Sequence, residues 1–197
     1  FVPLLVSWSG RGELGTLGSF EGNGFAPLPI GRSLYSAFYL NEVLMRVLTR
    51  HDPHPEVFAA YVDVLCKLGN PLVADQTDSL ESVLRLFEKR VLGAIGYGLV
   101  FFDDEGETID FIPDSQYVYV REVGPRALSG LGSDRASSDY PGDGVKVSGL
   151  TLSALRDDRP LAGATLNEAK MLMRFLLEPV LGERPLETRQ LFSPPSA

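Results

Sequence analysis

A single cysteine, Cys66, stands in the whole chain, so an internal disulfide and a multi-cysteine zinc site are both excluded. Redox chemistry has almost nothing to work with. Long apolar runs are missing too. Nothing approaches the roughly 18 consecutive apolar residues that cross a bilayer, and no basic segment precedes an apolar one at the start. These absences point to a soluble, cytosolic protein with no membrane partner. Positive charge is scarce: 18 Lys and Arg against 26 Asp and Glu leave a formal charge of −8, which excludes wholesale coating of nucleic acid and leaves room for a local basic patch. The two histidines, His51 and His54, fall in "HDPHPE", where prolines keep the backbone extended and away from the i, i+4 helical spacing that converges metal ligands. No metal and no cofactor are expected. No serine lies in a G-x-S-x-G elbow, and enzymatic activity finds no support.

What is present is an ordinary folding composition, 44% apolar over 197 residues, enough for one good-sized domain or two small ones. In "PLLVSWS", Leu4, Val6 and Trp8 alternate with Leu5, Ser7 and Ser9, the period of a half-buried strand. The chain opens at Phe1 inside this pattern, and we expect an N-terminal portion to precede it. Gly10, Gly12 and Gly15 then form G-x-G-x-x-G. A dinucleotide loop needs a helix directly after the glycines and an acidic residue about 20 positions on. Here Leu14, Thr16 and Phe20 continue as a second strand and no acidic residue falls between Glu21 and Glu42, so the glycines turn a hairpin.

From Leu28 the period becomes helical. "RSLYSAFYLNEVLMRVLT" carries Leu34, Ala37, Phe38, Leu44 and Met45 near helical spacing, and "EVFAAYVDVLCKLG" follows with Gly69 as its C-cap and Cys66 as a small core residue. A third helix is predicted to start at Asp78 with Glu81 as its capping-box partner. Its broad core face joins Leu80, Val83, Leu84, Phe87, Val91, Ala94 and Ile95. Residues 101–147 lose this period and read as a small irregular insertion with short strands, clearest at "QYVYVRE"; "DDEGE" at 103–107 is a solvated turn. "GLTLSALR" suggests a short helix. The last helix is predicted to be capped by Thr165 and Glu168, and Leu166, Met173, Leu177 and Val180 make its stripe. The fold class is α+β: strands first, then a mainly helical region, 28–197, interrupted by the insertion.

Two helices carry cations beside apolar surface. In the third, Arg85 and Lys89 lie i, i+4 with Leu92, next to Leu84; in the last, Lys170 and Arg174 border Leu177 and Leu181. One reading is that the cations lay their stems on apolar surface and keep their heads in water. The other is a groove for a peptide that combines acidic groups with a terminal aromatic. Trp8 and Arg11 on the hairpin, with Arg32, Arg46 and Arg50 on or near the first helix, are candidates for contact with single-stranded nucleic acid through phosphates and stacking.

The strings "PLLVSWSGRGELGTL", "SLYSAFYLNEVLMRVL", "HDPHPEVF", "LRLFEKRVLGAIGYGL" and "RPLETRQLF", in that order over almost the whole chain, resemble the RecO family of bacterial DNA repair proteins. The resemblance implies that residues 1–24 are the last strands of an OB-fold and that 101–147 corresponds to an insertion that binds zinc through four cysteines in many members. This chain lacks those cysteines and looks like the metal-free branch. The resemblance further implies a cytoplasmic, nucleoid-associated recombination mediator. Such a mediator works with RecR to load RecA on single strands covered by single-stranded-DNA-binding protein (SSB), anneals complementary strands, and contacts single- and double-stranded DNA. It also implies docking of the acidic, Phe-ending SSB tail on the helical domain. The Arg of "LRLFE" carries that role to Arg85, with Lys170 and Arg174 matching basic positions of the last helix.

Overall fold

The computed structural model describes residues 1–11, 15–24, 28–103, 105–128 and 144–192. The hairpin tip with Gly12 and Leu14, Asp104 of the acidic turn, and residues 129–143 of the insertion lie outside the described residues.

Strands β1 (Leu4–Ser9) and β2 (Thr16–Gly22) pair antiparallel. Ser7 faces Ser19 and their hydroxyls share a 2.8 Å hydrogen bond, whereas Trp8 faces Leu17, so Gly18 is the extra residue of a β-bulge. A Cβ at Gly18 would stand 3.0 Å from the Ser7 hydroxyl. The alternation of Leu4, Val6 and Trp8 predicts one buried face, but every residue of both strands is exposed. Just before β1 the Phe1 ring packs on Phe38 of the first long helix, at 5.5 Å between centroids.

The helical region holds α1 (Arg32–Val47), α2 (Pro55–Leu68), the single turn α3 (Pro71–Ala74), α4 (Thr77–Ala94), α5 (Gly149–Arg156) and α6 (Gly163–Leu181), then a 3₁₀ helix over Glu187–Phe192. Pro55 opens α2, where its missing N–H costs nothing, and Gly69 closes it in ordinary right-handed geometry. The buried face of α1 is Ala37, Leu40 and Val43 with Tyr39; Phe38 is exposed and Met45 points outward at 85% exposure, which corrects the stripe drawn from the sequence. Cys66 is exposed on α2 and is not a core residue. Val64 and Leu68, on the neighbouring stripe, are the side chains that α2 turns inward.

Between α4 and α5 run β3 (Gln116–Val120), β4 (Gly124–Ala127) and β5 (Gly144–Ser148), an antiparallel sheet in the order β4-β3-β5. Tyr117 and Tyr119 alternate onto its buried face. The sheet shares a core with α5 and α6 through Val147, Leu152, Leu155, Leu172 and Met173. A second core joins α1, α2 and α4 through Leu40, Val43, Leu68, Phe87 and Val91. At the start of α5, Gly149 sits so close to the backbone that a Cβ would lie 2.0 Å from the Ile112 carbonyl oxygen, so only glycine fits there.

Both predicted capping boxes are replaced by contacts between helices. The N-cap of α4 is Gln76, one residue before the helix and two before Asp78, and it makes no side-chain cap bond; the Asp78 carboxylate instead accepts from the Gly163 backbone N–H at 3.2 Å. Helix α6 begins after Ala162, whose N–H donates to the Thr165 hydroxyl at 3.2 Å. Glu168 reaches away from its own N-terminus to Ser148, accepting from its N–H at 3.0 Å and its hydroxyl at 2.6 Å, and to the Thr151 hydroxyl. Burial pushes the Glu168 carboxyl up, but these donors outweigh it and hold the pKa below the ordinary value. Among the described residues no helix is long and apolar enough to cross a membrane.

Candidate functional site

A groove of about 400 Å³ opens between α4 and α6. Three polar ties hold these helices side by side: Asp78 to the Gly163 N–H, the Ser82 hydroxyl accepting from the Leu161 N–H at 2.9 Å, and Lys170 paired with Glu81 at 2.8 Å. Past these ties the helices present Leu80, Leu84 and Leu177 as an apolar floor, with Arg85 and Arg174 over it. The apolar stripes arise from 3.6-residue periodicity, and each cation stands one position off its stripe, at the edge of the buried face.

Beneath Arg85 lies a buried polar knot. Glu88 is fully buried, and one of its carboxylate oxygens receives both the Arg85 guanidinium at 2.8 Å and the Tyr39 hydroxyl at 2.5 Å. Its second oxygen and the Arg85 Nε are buried without a hydrogen-bond partner among the described residues. Burial pushes the Glu88 carboxyl above the ordinary range, against the pull of Arg85 and the Tyr39 hydrogen bond; burial and the neighbouring carboxylate likewise raise the Tyr39 phenol. Arg85 is thus held from below.

The remaining wall comes from α1 and the 3₁₀ helix, which contribute Arg32, Tyr39, Arg189 and Phe192. Five cations therefore face one groove, and among the described residues the carboxylates there are Glu81 on its wall and Glu88 beneath it. Among the described residues no carboxylate pairs with Arg32, Arg174 or Arg189. On a chain of formal charge −8 this is a local concentration of positive potential over an apolar floor, suited to an anionic ligand with an apolar or aromatic part.

The structure brings Leu84, Arg85, Lys170, Arg174 and Leu177 together at this groove and leaves two expected members elsewhere. Lys89 turns its ammonium to the C-terminus of α5, donating to the Leu155 carbonyl and pairing with Asp158 at 3.0 Å. Leu92 is fully buried in the core shared with the sheet. The stripe of Arg85, Lys89 and Leu92 is real on α4 taken alone, but its first turn faces the groove while its later turns run under α5 and the sheet. Arg189, Phe192 and Tyr39 were not picked out from the sequence. For Arg189 and Phe192 a signal exists: in a 3₁₀ helix residues i and i+3 eclipse, so the Arg and Phe of "RPLETRQLF" share one side.

The residues expected to contact nucleic acid do not form one patch. Trp8 is 73% exposed on β1, and Arg11 is exposed beside the hairpin turn. Arg50 is exposed in the loop after α1, and Arg32 belongs to the groove. Arg32 and Arg46 lie near opposite ends of α1, about 21 Å apart at 1.5 Å per residue. Arg46 is moreover engaged within the chain. It pairs with Glu42 at 2.5 Å and donates to the carbonyls of Arg184 and Pro185, the latter at 2.8 Å. A four-cysteine zinc centre does not fit this chain, because its one cysteine is on α2, outside the insertion.

Glu42 accepts further hydrogen bonds from the Glu187 N–H at 2.9 Å, the Thr188 N–H at 2.9 Å and the Thr188 hydroxyl at 2.6 Å. Burial alone would push this carboxyl up; the donors from Thr188 and Glu187 and the charge of Arg46 overcome it and bring the pKa from 4.5 down to about 2. The folded state therefore holds the Glu42 proton more weakly than the unfolded chain does. The resulting stabilisation is complete above about pH 5 and is lost as pH falls toward 2. We expect Glu42→Gln to be less stable than the parent at pH 7 and to show a shallower loss of stability between pH 5 and pH 2. Urea unfolding across that range measures it, and parallel curves for parent and variant would count against the assignment.

Comparison with known proteins covers the same span. The family described as "Recombination protein O C terminal" matches residues 31–190. A DNA repair protein RecO from Alkalilimnicola ehrlichii is 42% identical over 193 residues, 98% of this chain and 70% of that protein. Proteins of the same name from Thiobacillus denitrificans and Nitrosococcus oceani are 41% and 40% identical, over 97% of this chain and 71% and 72% of their own lengths.

Proposed function

The chain belongs to the RecO family of DNA repair proteins, and on that premise we propose that its groove receives the acidic, Phe-ending tail of SSB. The observation that carries this reading is the placement of Arg85, Lys170 and Arg174 above Leu84 and Leu177 in one groove. Carboxylates of the tail meet the cations, and its terminal ring enters the apolar floor between α4 and α6. Arg85 is pre-oriented by Glu88 and Tyr39, so little side-chain entropy is lost when the tail binds. Lys170 is held by Glu81 in the free protein and exchanges one carboxylate for another.

In this reading the protein is a recombination mediator and not an enzyme. Tail docking brings it to SSB-covered single strands, where with RecR it prepares the loading of RecA and supports annealing. The exposed ribbon, with Trp8 and Arg11, supplies DNA contact as part of an OB-fold face.

Fluorescence anisotropy with a labelled acidic peptide ending in phenylalanine tests the tail site. Binding should weaken with added salt and with replacement of the last Phe by Ala, because both ionic and apolar contacts contribute. A chain that ignores the peptide at low salt refutes the reading. The 73% exposure of Trp8 favours a second reading, in which the ribbon is the functional nucleic-acid module and the helices scaffold it. Trp8→Ala would then abolish single-strand binding while the peptide has no effect.

A further inference from the structure

The third wall of the groove is not built by a long helix. Arg189 and Phe192 reach it from the six-residue 3₁₀ helix Glu187–Phe192, an element too short to hold its position by its own hydrogen bonds. Two anchors fix it. Leu186, just before it, is buried in the core of α1, α2 and α4. Glu42, in the third turn of α1, receives the first two N–H groups of the 3₁₀ helix and the Thr188 hydroxyl, while Arg46 bridges from Glu42 to the carbonyls of Arg184 and Pro185. Leu186 sets where the segment sits. Glu42 and Arg46 set how its first turn is rotated, and because residues i and i+3 eclipse, that rotation decides where Arg189 and Phe192 point. The Phe192 ring lies edge-on to Tyr35 of α1, at 6.1 Å between centroids, which gives the wall an aromatic face beside the Arg189 charge.

We propose that Glu42 is a positioning residue for the groove: by clamping the 3₁₀ helix to α1 it makes Arg189 and Phe192 a subsite for a carboxylate next to an aromatic ring. The inference rests on the reading of the groove as an acidic-peptide site, and it assigns recognition of the ligand's terminal aromatic residue to this wall. Arg189 takes the carboxylate, and Phe192 offers a ring for edge-to-face packing. The ring thus rests on the floor between α4 and α6 with its edge against Phe192, and ligands that are acidic but lack the ring forgo the Phe192 packing that holds their carboxylate beside Arg189.

The test uses the full chain and two labelled peptides of equal charge, one ending in phenylalanine and one in alanine. Arg189→Ala/Phe192→Ala should weaken the Phe-ending peptide about tenfold and the Ala-ending one much less, so that discrimination between them collapses. Glu42→Ala should reproduce that loss of discrimination, and in the triple variant it should add nothing further, because it acts only through the two residues already removed. Should Glu42→Ala fail to fold, Thr188→Val removes one of the clamp's bonds and should move discrimination in the same direction. Unchanged discrimination in Arg189→Ala/Phe192→Ala, or a Glu42 effect that persists in full in the triple variant, overturns the proposal while tail binding stands. If the parent binds neither peptide, the reading of the groove falls and the subsite falls with it.

Discussion

Replacing Arg85 by alanine is expected to cost about 3–5 kcal/mol of folding stability, the largest effect of any single change at the groove. The reason lies below the surface. Glu88 is fully buried, and among the described residues its partners are the Arg85 guanidinium at 2.8 Å and the Tyr39 hydroxyl at 2.5 Å, both on one oxygen, while the other oxygen has none. Without Arg85 the carboxylate keeps a single neutral donor in a desolvated site. Burial already raises the Glu88 pKa, and losing the cation raises it further, so the variant escapes part of the penalty by taking up a proton. A carboxyl whose pKa is higher folded than unfolded binds more protons in the native state. Stability then falls as pH rises through the range above the unfolded value. Arg85→Ala should therefore be more damaged at pH 8 than at pH 5, and Arg85→Ala/Glu88→Leu should recover much of the loss because it removes the stranded charge altogether. Urea unfolding at the two pH values decides the matter. A cost below about 1 kcal/mol at pH 8 would show that the pair is worth no more than a surface one.

The second large effect is on binding. Arg174→Glu should weaken an acidic, Phe-ending peptide by about 100-fold or more, near 3 kcal/mol, with little change in the thermal midpoint. Unlike Arg85, Arg174 is exposed and has no carboxylate partner among the described residues, so the fold does not depend on its charge. Reversing it replaces an attraction with a repulsion at the rim of a groove whose other rim cations remain. Arg174→Gln should fall between parent and reversal, and adding salt should narrow the gap among all three as exposed charges are screened. Anisotropy titrations at two salt concentrations, with a melting curve for each variant, measure both halves. Equal affinity in parent and Arg174→Glu would remove Arg174 from the site.

The two variants separate the roles that one groove combines. Arg85 stands on a buried acid and is tied to the core; Arg174 is exposed, has no carboxylate partner among the described residues, and carries only the proposed binding role. Lys170 falls between, since Glu81 at 2.8 Å satisfies it in the free protein but remains on the groove wall. Lys170→Ala should cost binding less than Arg174→Glu, because it also releases Glu81.

Much of this architecture was legible along the chain. The helical period marked α1, α2, α4 and α6, Pro55 marked the start of α2, and the Gly-rich turn marked a hairpin and not a phosphate loop. The apolar stripe of α4 through Leu80, Leu84, Phe87 and Val91 is buried as its spacing requires. Other features followed a local rule that a distant partner overrode. Asp78 and Glu168 have the spacing of helix caps, yet Asp78 serves the start of α6 and Glu168 serves Ser148 and Thr151. Lys89 looked like a groove cation and caps α5 instead. Arg46, a candidate for nucleic-acid contact by its position on the first helix, is held in the clamp around Glu42.

Periodicity along one helix determined which side chains stand at the edge of a buried face, because that depends only on 100° of rotation per residue. Family membership was equally a property of the ordered strings. Which of those edge cations converge was decided by the tertiary structure alone. Packing α4 against α6 through Asp78, Ser82 and Glu81, and seating Glu187–Phe192 on α1 through Glu42, brings together residues 79 to 146 positions apart. No local pattern encodes such a meeting, since it is set by the shapes of two cores and by carboxylates that pair across the chain.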